Sequence, residues 1–342
     1  MNLMITGACG HIGSYIASRF AKKRDIKKIY LIDNFHSSKI NSFFNLKNKK
    51  FFFRKIDVSK NNSLNSIKNI HTVIHCASLT NAEGSFKIKN LMYKNNLNCM
   101  RNIIKYCIKQ KINLLHLSST SVYGSQENVV YEDNIRFINP QSPYAKIKII
   151  EENMLKKNSK NLKFITLRLG TIAGVSPGMR FHTAVNKFCL NASLNEKISI
   201  YKTAYNQFRP YLSLKDAFRA FDFFINKRLF NNNTYNLLSK NYTVQQIISI
   251  IKKYKKNLRI KFVKTKIMNQ ISYKIETKKI LKLGLKINNS IPQDINENLI
   301  IFYGNQVLKL ENNFLNIINK TETYNMIKES YYINERRWDV KL

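Results

Sequence analysis

Tyr144 and Lys148 stand four positions apart in N-P-Q-S-P-Y-A-K-I-K (139 to 148), just after a proline-marked turn. On a helix that spacing puts both side chains on one face, so the ammonium can lie beside the phenol. A tyrosine titrating near its ordinary ~10 is a poor base at neutral pH. A neighbouring cation favours the phenolate and suits it to take a proton from an alcohol. A run of hydroxyls, L-S-S-T-S-V-Y-G (117 to 124), closes a strand-like segment, the end at which open α/β sheets hold their ligands.

A second chemical signal lies at the start of the chain. T-G-A-C-G-H-I-G (Thr6 to Gly13) follows a strand-like segment and opens a helical one. Gly7 permits the tight turn, Gly10 lets backbone approach a pyrophosphate, and Gly13 lets helix and strand lie close. The backbone through Cys9, His11 and Ile12 then faces the anion at the helix N-terminus. Asp33, followed by Asn34, closes the next strand candidate, where a carboxylate binds a ribose diol and repels a 2′-phosphate. NAD is therefore expected rather than NADP, and its positive nicotinamide would further favour a phenolate at Tyr144. Asp57 and Val58 end a third candidate strand; the acid either reaches the adenine or terminates the strand with a turn. His75, in V-I-H-C-A, reads as structural, since no second histidine or cysteine at ligand spacing supports a metal.

The elements that must carry these residues alternate through the first half of the chain. Strand candidates span 3 to 6, 28 to 33, 51 to 57, 72 to 77, 114 to 119 and 164 to 169, with a helical period at Leu97, Met100, Ile103, Ile104, Cys107 and Ile108. This is the pattern of βαβ units in a Rossmann-type, doubly wound parallel sheet. Beyond Gly170 the alternation stops. The expected organisation is a dinucleotide domain over 1–170 with a returning segment near 211–240, a smaller irregular substrate domain over 171–300, and an extension of unknown role over 301–342. There is no internal repeat.

Composition narrows the class. Of 342 residues, 44% are hydrophobic, which indicates a globular chain, and no run approaches the ~18 apolar residues of a membrane span. The five cysteines form no C-x-x-C pair and are odd in number, which suits small buried thiols in a reducing cytoplasm. The balance of 58 basic to 20 acidic residues leaves a net charge of +38. The lysines are spread along the chain without interleaved stacking aromatics, so an anionic small molecule explains the field more readily than a specific nucleic acid.

These segments, together with H-C-A-S, N-N-L-N-C-M-R-N (95 to 102), L-R-L-G-T-I-A-G and F-R-P-Y-L-S-L-K-D-A, resemble a known family over roughly residues 1 to 300. It is the extended short-chain dehydrogenase/reductases of the NAD-dependent epimerase/dehydratase group, which act on nucleotide sugars in carbohydrate metabolism and polysaccharide biosynthesis. The resemblance implies Ser119 as the hydroxyl that bonds the sugar oxygen as it becomes a carbonyl, Tyr144 as base, and Lys148 as anchor of ribose and phenol. It also implies Ala77 and Ser78 beside the nicotinamide half, Asn96 bracing the sheet, and Thr80 at the sugar. Thr120, Thr171 and Asn186 become substrate contacts, with Met179 to Asn186 wrapping the nucleotide, and Arg209 grips the diphosphate.

Two departures from the family's pattern stand out. Thr120 and Ser121 occupy the positions where 4,6-dehydratases carry an Asp-Glu pair, and Thr171 stands where many relatives have asparagine. The expectation is an epimerase inverting carbon 4 of a UDP-hexose, cytoplasmic and homodimeric through the helix near 91 to 109 and the helix of Tyr144. The alternatives are a dehydrogenase, 4-reductase or dehydratase of the same family, or a non-catalytic dinucleotide-sensing or RNA-binding protein on the same fold.

Overall fold

The computed structural model describes residues 1–37, 39–43, 48–80, 84–264 and 272–303. Nearly all of the 301–342 extension, including E-R-R-W-D-V-K-L, lies outside them. Seven strands form one parallel sheet: β1 (Asn2–Thr6), β2 (Lys28–Asp33), β3 (Phe51–Lys55), β4 (Thr72–His75), β5 (Asn113–Ser119), β7 (Phe164–Leu169) and β11 (Thr234–Leu237). The shorter strands are β6 (Val129–Val130), β8 (Thr171–Ala173), β9 (Ile198–Tyr201), β10 (Phe208–Ser213), β12 (Lys240–Thr243), β13 (Ile260–Val263) and β14 (Lys274–Ile275). The helices are α1 (His11–Phe20), α2 (Lys89–Gln110), α3 (Pro143–Lys157), α4 (Ala184–Ser193), α5 (Leu214–Asn226), α6 (Val244–Tyr254), α7 (Lys278–Leu281) and α8 (Ile291–Tyr303).

The sheet order is β11-β7-β5-β4-β1-β2-β3, the doubly wound Rossmann arrangement. Strands such as β4 (TVIH) and β7 (FITLRL) are buried along their whole length, as strands covered on both faces must be. Ile16 and Phe20 of α1 and Phe221 and Phe224 of α5 pack on one face with Leu3, Ile5, Leu115 and Leu167. Met100 and Ile103 of α2 and Leu155 of α3 pack on the other with Met4, Val73, Leu114 and Phe164. The order reverses at β1, flanked by β2 on one side and β4 on the other. A crevice at the carboxyl ends of the strands opens at such a reversal.

After β7 the chain leaves this sheet. A separate core gathers α4, α6 and α8 around Phe188, Ile247, Ile251, Ile295 and Leu299, with α6 started by a reciprocal Thr243–Gln246 capping box. α5 then leads the chain back to β11 at the sheet edge.

Candidate active site

The chain turns at Gly7, whose φ of +66° lies in the left-handed region that glycine adopts without strain. A Cβ there would stand 2.7 Å from the Ala77 nitrogen, and one on Gly13 would stand 2.2 Å from the Gly7 carbonyl oxygen. Helix α1 is thereby drawn onto the sheet, with its first turn at the strand ends. Asp33 accepts hydrogen bonds from the Cys9 and Phe35 backbone nitrogens, each at 2.9 Å. This fixes the carboxylate beside the glycine turn. A cradle with no room for a Cβ and an immobilised acid fit a dinucleotide: pyrophosphate at Gly7 to Gly13, adenosine ribose at Asp33. Asn34 accepts from His36 N at 3.0 Å and shapes the loop that follows.

Asp57 forms a turn at the end of β3. Its Oδ1 accepts from both the nitrogen (2.9 Å) and the hydroxyl (2.7 Å) of Ser59, and Val58 is buried in the core beside α2. His75 Nδ1 lies 2.8 Å from Thr6 Oγ1, and burial brings this imidazole down to about 3, which makes it neutral and structural. Beyond β4, Asn96 on α2 accepts from Leu79 N (2.8 Å) and donates to Leu79 O (2.9 Å). This clamp sets the path of Ser78 and Thr80 past the strand ends.

Ser142 caps α3, its Oγ accepting from Ala145 N at 3.2 Å with Pro143 in the first turn; both residues favour a helix start. Tyr144 therefore lies in the first turn and Lys148 one turn later, with Nζ 5.7 Å from the Tyr144 ring centroid. At the end of β5, Ser119 Oγ accepts from Ser121 N (3.2 Å) and from Ser121 Oγ (2.9 Å). Thr120 turns inward; its hydroxyl donates to Leu169 O at 3.2 Å and meets Tyr273 OH at 3.3 Å. Beneath them, Glu152 takes two bonds from Arg168 (3.0 and 2.7 Å) and one from Ser118 (2.6 Å), and Arg168 donates to Tyr123 OH at 2.8 Å. This buried network ties α3 to the ends of β5 and β7.

Residues 174–182 cover the glycine turn. Gly178 N donates to Ser14 Oγ at 2.8 Å, His11 Nδ1 lies 2.7 Å from Ser176 Oγ, and Lys39 Nζ donates to the carbonyls of Gly178 (3.2 Å) and Met179 (2.6 Å). Burial, and then the charge of Arg180, bring Lys39 down to about 8. Arg180 donates to Thr80 Oγ1; burial lowers its proton affinity and the charge of Tyr144 opposes that. Burial, reinforced by these cations, holds His11 well below its ordinary value and His182 at about 2. Asn186 is fully enclosed, accepting from Gly174 N (3.2 Å) and donating to Arg180 O (2.9 Å), so it braces this cover from beneath. Thr171 opens β8 opposite Tyr211, and Arg209 stands on β10 opposite Tyr242, its charge reaching Tyr211 and Tyr273. Thr80, Ser119, Tyr144 and Lys148 thus stand at or beside the strand ends, and Asp57, Thr120 and Asn186 each make hydrogen bonds within the chain, to Ser59, to Leu169, and to Gly174 and Arg180.

Three residues at the site were not singled out in the sequence. Glu151 follows Lys148 by three, a spacing that on a helix signals an ion pair. Arg180 was included only within the Met179–Asn186 stretch, and Lys39 gave no local signal.

A phenol–amine pair at the strand ends, set over a dinucleotide cradle, defines a pyridine-nucleotide enzyme of the short-chain dehydrogenase type. Residues 3–237 match the NAD dependent epimerase/dehydratase family, and the chain belongs to it; its cofactor is NAD. Among solved structures it is similar to a UDP-N-acetylglucosamine 4-epimerase from Methanobrevibacter ruminantium M1 (22% identity, TM-score 0.77, 87% of this chain and 96% of that one). It is also similar to a UDP-glucuronic acid 4-epimerase from Bacillus cereus solved with a substrate analogue and NAD (22%, TM-score 0.79, 87% and 98%). Among curated proteins, a dTDP-D-glucose 4,6-dehydratase from Dictyostelium discoideum is 29% identical over 253 residues, 69% of this chain and 57% of that protein. A trifunctional UDP-glucose 4,6-dehydratase/epimerase/reductase from Arabidopsis thaliana is 26% identical over 303 residues, 83% and 44%. The chain spans about half the length of these curated relatives. Among the described residues no helix is long and apolar enough to cross a membrane, and no group of three His, Cys, Asp or Glu could hold a metal ion.

Proposed function

We propose that the protein is an NAD-dependent nucleotide-sugar epimerase that inverts carbon 4 of a UDP-hexose through a transient 4-keto sugar. The observation that carries this reading is the set of hydroxyls around Ser119. Expelling water next to the oxidised carbon needs an acid and a base there. The two residues at that place are Thr120, turned into the core, and Ser121, which donates to Ser119. The 4-epimerase names of the two structural relatives support carbon 4.

The bound cofactor supplies a two-electron acceptor that gives the electrons back. Tyr144 takes the proton of the C4 hydroxyl and returns it after the sugar has turned about its diphosphate link. Ser119 donates to the same oxygen as it gains carbonyl character, its own orientation set by Ser121. Lys148 steadies the phenol and the ribose. Thr80, fastened by Arg180, borders the sugar, and the guanidinium fork of Arg209 suits the diphosphate. A homodimer through the outer faces of α2 and α3 belongs to the same reading.

The dehydratase names of the curated relatives favour a second reading, loss of water from the same 4-keto sugar. Incubation with a panel of nucleotide sugars and NMR of the products separates them. A C4 epimer formed with no net change at the reduced-nicotinamide absorbance supports the proposal. A dehydrated product, or consumption of coenzyme with turnover, overturns it.

A further inference from the structure

Glu151 lies one turn beyond the Tyr144–Lys148 pair and on its inner side. Its Oε2 accepts from Lys148 Nζ at 2.8 Å, and His116 Nε2 stands 3.0 Å from the same oxygen. All three side chains are almost wholly enclosed: Lys148 is 4% exposed, Glu151 1% and His116 0%. His116 comes from β5, three residues before Ser119, so the carboxylate joins the helix of the base to the strand of the catalytic hydroxyl. Among the described residues, His116 Nδ1 is buried without a hydrogen-bond partner, and the imidazole's one hydrogen bond is with Glu151. An enclosed ammonium left alone would repel a positively charged ring bound beside Tyr144, as well as favour the phenolate. Glu151 offsets that charge where it arises.

We infer that Glu151, backed by His116, is a positioning residue: it holds the Lys148 ammonium in reach of Tyr144 and keeps the charge below the nicotinamide balanced. The inference rests on the cofactor assignment and on the role proposed for Tyr144. Burial works to raise Glu151, but Lys148 and His116 outweigh it and hold the carboxyl at about 2, so it stays charged through the working range. Burial works to lower Lys148, and Glu151 with Tyr144 outweighs it and keeps the amine above its ordinary value.

The other charged or titratable groups facing the pair come from every neighbouring element. His75 on β4 is neutral, and the thiols of Cys76 and of Cys99 on α2 are pushed by burial to about 12. Glu152 on α3 is already matched by Arg168 on β7. Arg180, from the covering segment, faces Tyr144. Glu151 is the carboxylate that answers Lys148.

The test uses the full chain and two readouts. The first is the ratio of dissociation constants for oxidised and reduced NAD, which needs no sugar and so stands even where the epimerase reading fails. The second is the pH at which kcat/KM falls on the acid side. Glu151→Gln keeps an oxygen for both donors and removes only the charge. It is expected to weaken oxidised NAD against reduced NAD by about tenfold, as one buried charge acting over about 12 Å at an effective dielectric near ~20 would do. It should also move the acid-side fall down by roughly one pH unit. Glu151→Asp keeps the charge and withdraws it by one methylene; it should leave both readouts near wild type while lowering kcat by about fivefold as Lys148 is drawn back. A folded glutamine variant with unchanged ratio and unchanged acid-side fall overturns the inference. Should that variant not fold, an aspartate variant whose ratio moves about tenfold, or whose kcat is unchanged, overturns it equally.

Discussion

The strand-end region and the segment that covers it hold their functional groups by different means. At the strand ends, Asp33, Ser119 and Tyr144 sit where regular elements stop or start, with Lys148 one turn further on, and their orienting bonds come from nearer in the chain: Cys9 and Phe35 to Asp33, Ser121 to Ser119, and Lys148 to Glu151. In the cover, Ser176, Gly178 and Arg180 are held by bonds that span long sequence separations, to His11, Ser14 and Thr80. The strand ends and helix α8 also treat a buried acid in opposite ways. Glu151 is held at about 2 against the effect of burial by two donors on a single oxygen. Asp294 on α8 is pushed by burial to about 6, because its lysine, Lys215, is shared with Glu297. Equal enclosure gives opposite titration: Lys148 and His116 outweigh burial at Glu151, whereas Lys215 and Ser213 do not outweigh it at Asp294, where the charge of Glu297 adds to the rise.

The comparison can be broken at several points. Tyr144→Phe removes the proton acceptor from the region of fixed geometry; turnover should fall by about a thousandfold while NAD binding and the melting curve stay close to wild type. Residual activity above a tenth would mean that chemistry does not centre on the strand ends. Gly178→Ala tests the cover: its Cβ would lie 2.0 Å from the Cys9 carbonyl oxygen, so the segment must lift. A loss of about 1–3 kcal/mol of stability is expected, with weaker NAD binding by calorimetry; unchanged binding would detach the cover from the cofactor.

The pH dependence sharpens the contrast between the acids. Glu151 has a folded value of about 2 against an ordinary 4.5. Its contribution to stability is present above pH 4.5 and is lost as the pH falls toward 2. Asp294 is raised from 3.8 to about 6, so its contribution is full below pH 3.8 and is lost as the pH rises through 6. Melting temperatures of Asp294→Asn should therefore lack a decline between pH 4 and 7 that the wild type shows. The smallest effect is assigned to Thr120→Val. With its hydroxyl turned to Leu169, turnover should change by less than about threefold and stability by about 1 kcal/mol; a large fall in turnover would return Thr120 to the substrate.

Much of the strand-end region could be read in the sequence because its signals are local. Six β-branched or aromatic runs became sheet strands within a few residues of their expected limits, and T-G-A-C-G-H-I-G carries its own steric logic. The seventh strand, T-Y-N-L (Thr234–Leu237), escaped because it is short and half polar; it is defined by pairing with β7, not by its composition. The bonds of Thr120 to Leu169 and of Asn186 to Gly174 and Arg180 have no local signal, because the direction of a side chain after a strand end depends on how the following turn rotates. Glu151 looks like one more charge on an ordinary helix until β5 brings His116 to it. Arg180 and Lys39 belong to segments without periodicity, and only the folded cover brings them to the cofactor turn.

Gly170 has a consequence for how such a chain can diversify. A Cβ on it would meet the Pro210 carbonyl oxygen at 3.0 Å, so the stretch between those two residues leaves the end of β7 and returns beside it on β10 at almost a single point. Closing a flexible loop that begins and ends together adds only about 0.6 kcal/mol for each doubling of its length. Within that stretch residues 174–182 stay tied to His11, Ser14 and Thr80, so length and sequence can drift beyond Asn186 while the seven strands keep their register.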